Sequence, residues 1–314
     1  MISIIVPFFN EEESLRSLYQ EITKFSSQLD RLYEIIFVDD GSTDKSLSIL
    51  KSFAQVDNHV RIFSFRRNQG KAEALTIGFA KAKGDYVITL DADLQDKPSE
   101  IKKILEKTKE GWDVVCGWRK NRKDSIFKII SSKIFNALAE KLWGLRLHDY
   151  NCGLKVFSKD AAKSLRLYGG LHRFIPVLLY MQGFSVSEEI VLHESRKFGR
   201  SKYGISKLWK DLPDIFTMFF LIKYSNRPFH FFGVVGFIIV SIGSLILVYL
   251  SILHFQGQTI GTRPLLFFGM LLVLSGFQVF FTGFLADLII NISYRMEKNN
   301  LPEKEKFSIK YSTD

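Results

Sequence analysis

The sequence predicts an α/β protein in which a mainly parallel, doubly wound sheet precedes two membrane-spanning helices. Three observations carry this prediction. Apolar strand-like runs alternate with helix-periodic segments up to about residue 117, the pattern of parallel strands joined by right-handed crossovers. Polar clusters stand just past the ends of four of those runs. Two apolar stretches, 229–253 and 264–292, each exceed the roughly 20 residues needed to cross a hydrocarbon core.

The elements follow in order. Ile2 to Phe8 reads as a buried strand. Asn10 is placed to cap a helix, with Glu13 completing a capping box and Leu15, Leu18, Tyr19, Ile22, Phe25 and Leu29 at helical spacing. Glu34 to Val38 is the second strand, closed by Asp39-Asp40-Gly41-Ser42-Thr43-Asp44 before a helix through Phe53. Arg61 to Phe65 is the third, followed by Asn68-Gln69-Gly70-Lys71 and a helix to Lys81. Asp85 to Leu90 is the fourth and runs into Asp91-Ala92-Asp93. A helix from Pro98 to Glu110 and a strand from Asp113 to Gly117 complete the alternation.

Side chains alternate along a strand, so an Asp-x-Asp at its end sends two hard oxygen donors to one side of the sheet rim. Such a pair suits a divalent cation, Mg2+ or Mn2+, that also binds a diphosphate. A solvated turn is the competing reading of the tripeptide alone. Asn10, Asp39-Asp40 and Asn68 are predicted at the same edge, where open α/β sheets bind ligands, and this favours a site. The first strand is followed by neither a Walker motif nor Gly-x-Gly-x-x-Gly, which disfavours a P-loop or dinucleotide site.

Beyond Trp118 the chain is basic, with Arg119, Lys120, Arg122 and Lys123 ahead of a predicted helix from Ser125 to Leu142. Arg196, Lys197, Arg200 and Lys202 form a second basic stretch, with Gly199 and Gly204 as potential hinges. It reads either as a solvated loop or as one that closes over phosphates. Leu208, Leu212, Ile215, Phe216 and Phe219 share one helical face, giving a predicted amphipathic helix over 205–228 that lies in lipid headgroups or packs against protein. Neither long apolar stretch contains Lys or Arg. Lys223, Arg227, Arg295 and Lys298 flank the pair, against Arg263 alone in the connection, so both ends are predicted on the cytoplasmic side. The first residues lack a basic segment and read as a strand, not a signal peptide.

The expected organisation is a catalytic domain over 1–204, the amphipathic helix over 205–228, a transmembrane pair over 229–294 and a tail over 295–314. The net charge of +10 points to a lipid bilayer and phosphorylated substrates. No segment resembles a nucleic-acid-binding module. Cys116 and Cys152 lack metal-ligand spacing and are expected in the core.

Val6-Pro7-Phe8-Phe9-Asn10-Glu11, Val38-Asp39-Asp40-Gly41-Ser42-Thr43-Asp44, Arg67-Asn68-Gln69-Gly70-Lys71 and Leu90-Asp91-Ala92-Asp93-Leu94-Gln95-Asp96 together resemble family two of the glycosyltransferases. More narrowly, the chain resembles polyprenyl-phosphate glycosyltransferases of the dolichol-phosphate-mannose-synthase type that carry two C-terminal spans. Gly170 to Pro176 and Ser201 to Gly204 extend the likeness over essentially the whole chain. The resemblance implies a GT-A, Rossmann-like fold in an inner or plasma membrane. It implies inverting transfer from a nucleotide-sugar, UDP-glucose-like or GDP-mannose-like, to undecaprenyl or dolichyl phosphate. Pro7, Phe9, Glu11, Asp39, Asp40, Lys71, Asp91, Ala92 and Asp93 would bind the donor. Asp91, Asp93 and Gln95 would hold Mg2+ or Mn2+, and Arg119, Arg122, Arg200 and Lys202 would receive the acceptor phosphate. Asp91, Asp93 and Arg119 are then the catalytic candidates, and a homo-oligomer, with a tetramer among its forms, is implied.

Trp118 and the segment Asp149-Tyr150-Asn151-Cys152-Gly153 depart from the commoner family pattern, which leaves the acceptor pocket and the role of Asp149 open. An ionised phosphate acceptor needs no strong base. A hydroxyl acceptor would need one, and Asp149 is the residue on offer; a non-catalytic nucleotide-sugar-binding subunit is the other alternative. His148 and His172 are expected to serve as hydrogen-bonding groups and not as bases.

Overall fold

The computed structural model describes residues 1–120 except 30, 136–194 except 138, and 227–300 except 262, together with 217, 219, 220 and 224; side chains are described as far as 292. The chain forms two compact units, Met1–Met218 and Phe219–Asp314. Arg122, Arg200, Lys202, the basic stretch 195–204, nearly all of the predicted amphipathic helix and the end of the tail lie outside the described residues.

In the first unit, β1 (Ile2–Phe8), β2 (Tyr33–Asp39), β3 (Val60–Ser64), β4 (Tyr86–Thr89) and β5 (Val114–Trp118) alternate with α1 (Leu15–Ser26), α2 (Ser46–Ala54), α3 (Lys71–Lys81) and α4 (Ile101–Thr108). Two further strands follow, β6 (Lys155–Ser158) and β7 (Val186–Ile190), accompanied by α5 (Lys159–Ser164) and α6 (Ile175–Met181). The seven strands form one sheet in the order β3-β2-β1-β4-β6-β5-β7. Every pairing is parallel except those of β6, which runs antiparallel to both β4 and β5. The sheet is thus mainly parallel, as predicted, but β6 and β7 were not anticipated. Runs of four and five residues carry too little alternation to announce a strand.

β6 matters because its register sets Lys155 opposite Thr89. The Thr89 hydroxyl donates to the Gly153 carbonyl at 2.8 Å. This brings the 151–155 segment beside the Asp91 end of β4.

The core is built from the inward faces of β1, β2 and β4 with Leu15, Leu18 and Ile22 of α1 and Ile101 and Ile104 of α4. Helix α3 lies tight on β1: a Cβ on Gly78 would sit 2.4 Å from Ile5 Cγ2. Asn10 does not cap α1, which begins at Leu15. Its backbone is left-handed, φ 53°, and its side-chain oxygen accepts from Thr43 N–H at 2.8 Å. Short polar side chains compete in this way for nearby backbone groups, and here the competing partner belongs to the β2 loop.

The second unit is an antiparallel helix pair, α7 (Pro228–Phe255) and α8 (Pro264–Asn300). The stretches Pro228–Phe255 and Pro264–Ile292 have mean hydropathies of 2.7 and 2.1. Glycines let their backbones approach: a Cβ on Gly236 would lie 2.7 Å from the Gly276 carbonyl oxygen, and one on Gly243 2.9 Å from that of Gly269. Phe237, Leu245 and Leu274 face outward with 68–69% exposure. A surface this apolar belongs in lipid, and the chain is a membrane protein.

Candidate active site

The loops after β1, β2, β3 and β4 meet in one cleft of about 260 Å³. Pro7 and Phe8 come from the end of β1, Phe9 and Glu11 from the loop after it, Asp40 from the second loop, Asn68 from the third and Asp91, Ala92 and Asp93 from the fourth. Lys71 and Ala74 are presented by α3. Of the residues expected to bind a donor, Asp39 alone is placed elsewhere. It is buried at 1% exposure, and its carboxylate accepts from Ser42 N–H at 2.8 Å and Ser64 Oγ at 2.7 Å. It shapes the β2 turn beneath the cleft.

Asp40 is fixed differently. Its Oδ1 accepts from the backbone N–H of Gln69 at 2.7 Å and of Gly70 at 3.0 Å, so the loop before α3 holds the carboxylate at the cleft. Gly41, with φ 74°, lets this crossing happen: a Cβ there would meet the Arg67 carbonyl carbon at 2.5 Å. Left-handed φ and close backbone approach together require glycine.

Asp91 accepts an ion-paired hydrogen bond from Lys71 Nζ at 2.6 Å. Burial opposes its charge, but Lys71, and at longer range Lys155 and Arg119, hold its carboxyl below the ordinary carboxylate range. It rests against Gly153, where a Cβ would lie 2.5 Å from Asp91 Cγ. Leu94, two residues after Ala92, is buried with φ 61°, a conformation that costs a non-glycine residue about 1–2 kcal/mol. The turn it makes leads the chain away after Asp93.

The donor set fits a hard divalent cation. Asp91 and Asp93 share the cleft, and no group of three or more His, Cys, Asp or Glu ligands occurs among the described residues. Two carboxylates with phosphate and water oxygens completing the shell is the usual arrangement for Mg2+. Gln95 does not line the cleft; its amide Nε2 donates to the Glu194 carbonyl at 3.4 Å.

A second cleft of about 140 Å³ adjoins the first across the Lys71–Asp91 pair, which lines both. Its other walls include Thr89, Asn151, Gly153, Lys155, His172 and Arg173. Burial, reinforced by Lys71 and Arg173, pushes His172 down to about 3; it is a neutral hydrogen-bonding group at neutral pH. His148 is also taken up structurally, stacked on Trp118 with ring centroids 4.0 Å apart and hydrogen-bonded to Glu188.

Arg119 does not line either cleft among those described. Its guanidinium grips Asp149 through two bonds, 2.6 Å and 3.0 Å, and the two side chains are 10% and 2% exposed. Asp149 is thus a buried counter-ion, poorly placed to act as a base. The sequence does not single out Gly153, Lys155 or Arg173, which the structure places in the second cleft. Gly153 and Arg173 lay inside strings noted for other residues, and Lys155 gave no signal because its strand was not read.

An α/β sheet with this rim of carboxylates has the architecture of a GT-A-type fold, and solved structures agree. Glucosyl-3-phosphoglycerate synthase from Mycobacterium tuberculosis, in complex with Mn2+, uridine-diphosphate-glucose and phosphoglyceric acid, is similar with a TM-score of 0.54 at 19% identity, covering 71% of this chain and 79% of that one. The chain belongs to glycosyl transferase family 2, whose model matches residues 3–166, and it is a glycosyltransferase. Dodecaprenyl-phosphate galacturonate synthase of Rhizobium johnstonii is 37% identical over 300 residues, 94% of this chain and 89% of that protein. Undecaprenyl-phosphate 4-deoxy-4-formamido-L-arabinose transferases of Photorhabdus laumondii and Proteus mirabilis are each 36% identical over 291 residues, 92% of this chain and 88% of theirs.

Proposed function

We propose that this glycosyltransferase moves a monosaccharide from a nucleotide-diphosphate sugar to a polyprenyl phosphate at the cytoplasmic face of a membrane. The observation that carries the reading is the cleft in which Asp40, Lys71, Asp91 and Asp93 meet at the ends of parallel strands. The named activities of the relatives support the acceptor class, and the flanking cations of the helix pair support the orientation.

An oxygen of the acceptor phosphate attacks the anomeric carbon as the bond to the β-phosphate oxygen breaks. The nucleoside diphosphate leaves, and the configuration inverts. The acceptor is already ionised near neutral pH, so no side chain has to remove a proton. Glu11, Asp40 and Asn68 position the nucleoside end of the donor, and Asp91 orients the sugar with Lys71 holding it in place. Mg2+ or Mn2+, held by Asp93 with Asp91, would offset the negative charge that gathers on the departing diphosphate.

Asp93→Asn is the direct test. Transfer from nucleotide-sugar to undecaprenyl phosphate should fall by about 1,000-fold while the melting temperature stays within a few degrees of wild type. Near-wild-type turnover would remove Asp93 from the metal site. Comparing bare polyprenyl phosphate with glycosylated lipid acceptors separates this reading from transfer to a hydroxyl.

A further inference from the structure

The second cleft lies across Asp91 from the donor cleft, and its lining is cationic: Lys71, Lys155 and Arg173 against the single carboxylate of Asp91. Lys71 is paired with that carboxylate. Lys155 is 4% exposed and donates to the Cys152 carbonyl. Among the described residues no carboxylate lies within ion-pair distance of it. Asp91 offsets its charge only at longer range and is already paired with Lys71, and a buried ammonium compensated this incompletely favours an anion beside it.

Position says which anion. In an inverting displacement the nucleophile and the leaving group stand on opposite sides of the anomeric carbon. With the diphosphate in the first cleft, the second faces the sugar from the other side. Its volume of about 140 Å³ is that of about five waters, enough for one phosphate or for the carboxylate edge of a sugar ring. Neutral His172 and Asn151 add hydrogen-bonding groups without adding charge.

We propose that Lys155 and Arg173 form an oxyanion subsite that holds an anionic substrate group opposite the departing diphosphate. This rests on the function proposed above. The same chemistry serves the acceptor phosphate or a carboxylate carried by the donor sugar. Arg119, locked onto Asp149, is not its main cation.

The test uses the full-length purified enzyme with Lys155→Gln, Arg173→Gln and the conservative Lys155→Arg. Undecaprenyl phosphate is the acceptor, and UDP-glucose, UDP-glucuronate, UDP-galactose and UDP-galacturonate are the donors. With acceptor phosphate in the subsite, both Gln variants raise the acceptor KM by about tenfold or more with every active donor, leave UDP binding unchanged, and Lys155→Arg restores most of the loss. With a sugar carboxylate there, the loss is confined to the uronate donors. Either pattern supports the subsite. Arg173→Gln changes a half-buried side chain and keeps the test valid should Lys155→Gln fail to fold. Wild-type transfer with unchanged acceptor KM and unchanged donor preference in Arg173→Gln and the folded Lys155 variants overturns the subsite alone. A wild-type enzyme that transfers to no polyprenyl phosphate overturns the proposed function and the subsite with it.

Discussion

Gly153 determines where Asp91 can sit. The carboxylate lies where a Cβ would be, 2.5 Å from its Cγ, so a side chain at 153 and the present position of Asp91 exclude one another. Gly153→Ala is therefore expected to push Asp91 off Lys71 and off the sugar. Misplacing a reacting or orienting group by about 1 Å can cost about 100-fold in rate. We expect kcat to drop by about that factor with UDP binding, measured by calorimetry, nearly unchanged. Unaltered kcat would show that Asp91 is not held in a working position by this contact. The two buried cysteines act by packing: burial pushes the Cys116 thiol up to about 12 and raises that of Cys152 well above its usual value, so both remain unreactive thiols.

At the level of elements, the sheet edge opposite the site is tied by Glu34 of β2. It accepts from Ser3 Oγ of β1 at 2.6 Å, from the Arg61 guanidinium of β3 at 2.5 Å and from Lys83 N–H at 2.7 Å. Burial opposes its charge, but these bonds hold its carboxyl below the ordinary 4.5. A depressed folded-state value means that the unfolded chain binds the proton more readily. The stabilisation is then fully present above about pH 4.5 and is lost as pH falls through the folded value. Glu34→Gln should lower stability at pH 7 by about 2–3 kcal/mol and flatten the acid limb of a denaturation profile. An acid limb as steep as wild type would assign that titration to other groups. The site depends on this edge only through the rigidity of the three strands.

On the scale of the whole molecule, the helix pair is predicted to enter and leave on the cytoplasmic side. A cysteine introduced at Gln258, in the short connection between α7 and α8, should react with a membrane-impermeant maleimide from outside intact cells, after Cys116 and Cys152 have been replaced by Ala. Labelling only after lysis would reverse the orientation and move the catalytic unit to the outer face. The close glycine contacts carry a second expectation. Gly276→Leu, placed where a Cβ already meets the Val240 backbone nitrogen at 2.7 Å, should separate the pair and lower the detergent melting temperature. An unchanged melt would show that the pairing contributes little to stability.

The sequence by itself determined the strand–helix alternation, the edge at which the polar loops gather and the presence of two spans. Each of these is local: periodicity, turn residues and apolar length are written in consecutive positions. It also named most of the residues that line the first cleft, because the loops after consecutive parallel strands must converge on one rim. Only the tertiary structure decided that Asp39 braces a turn while its neighbour Asp40 faces the cleft, since adjacent side chains on a strand point to opposite sides and their partners lie on other strands. The insertion of β6 between β4 and β5, the pairing of Arg119 with Asp149 and the approach of Gly153 and Lys155 to Asp91 are likewise contacts between residues 30 to 72 positions apart. Nothing in the neighbouring residues encodes such contacts; they arise when buried charges and unpaired backbone groups find partners as the sheet assembles.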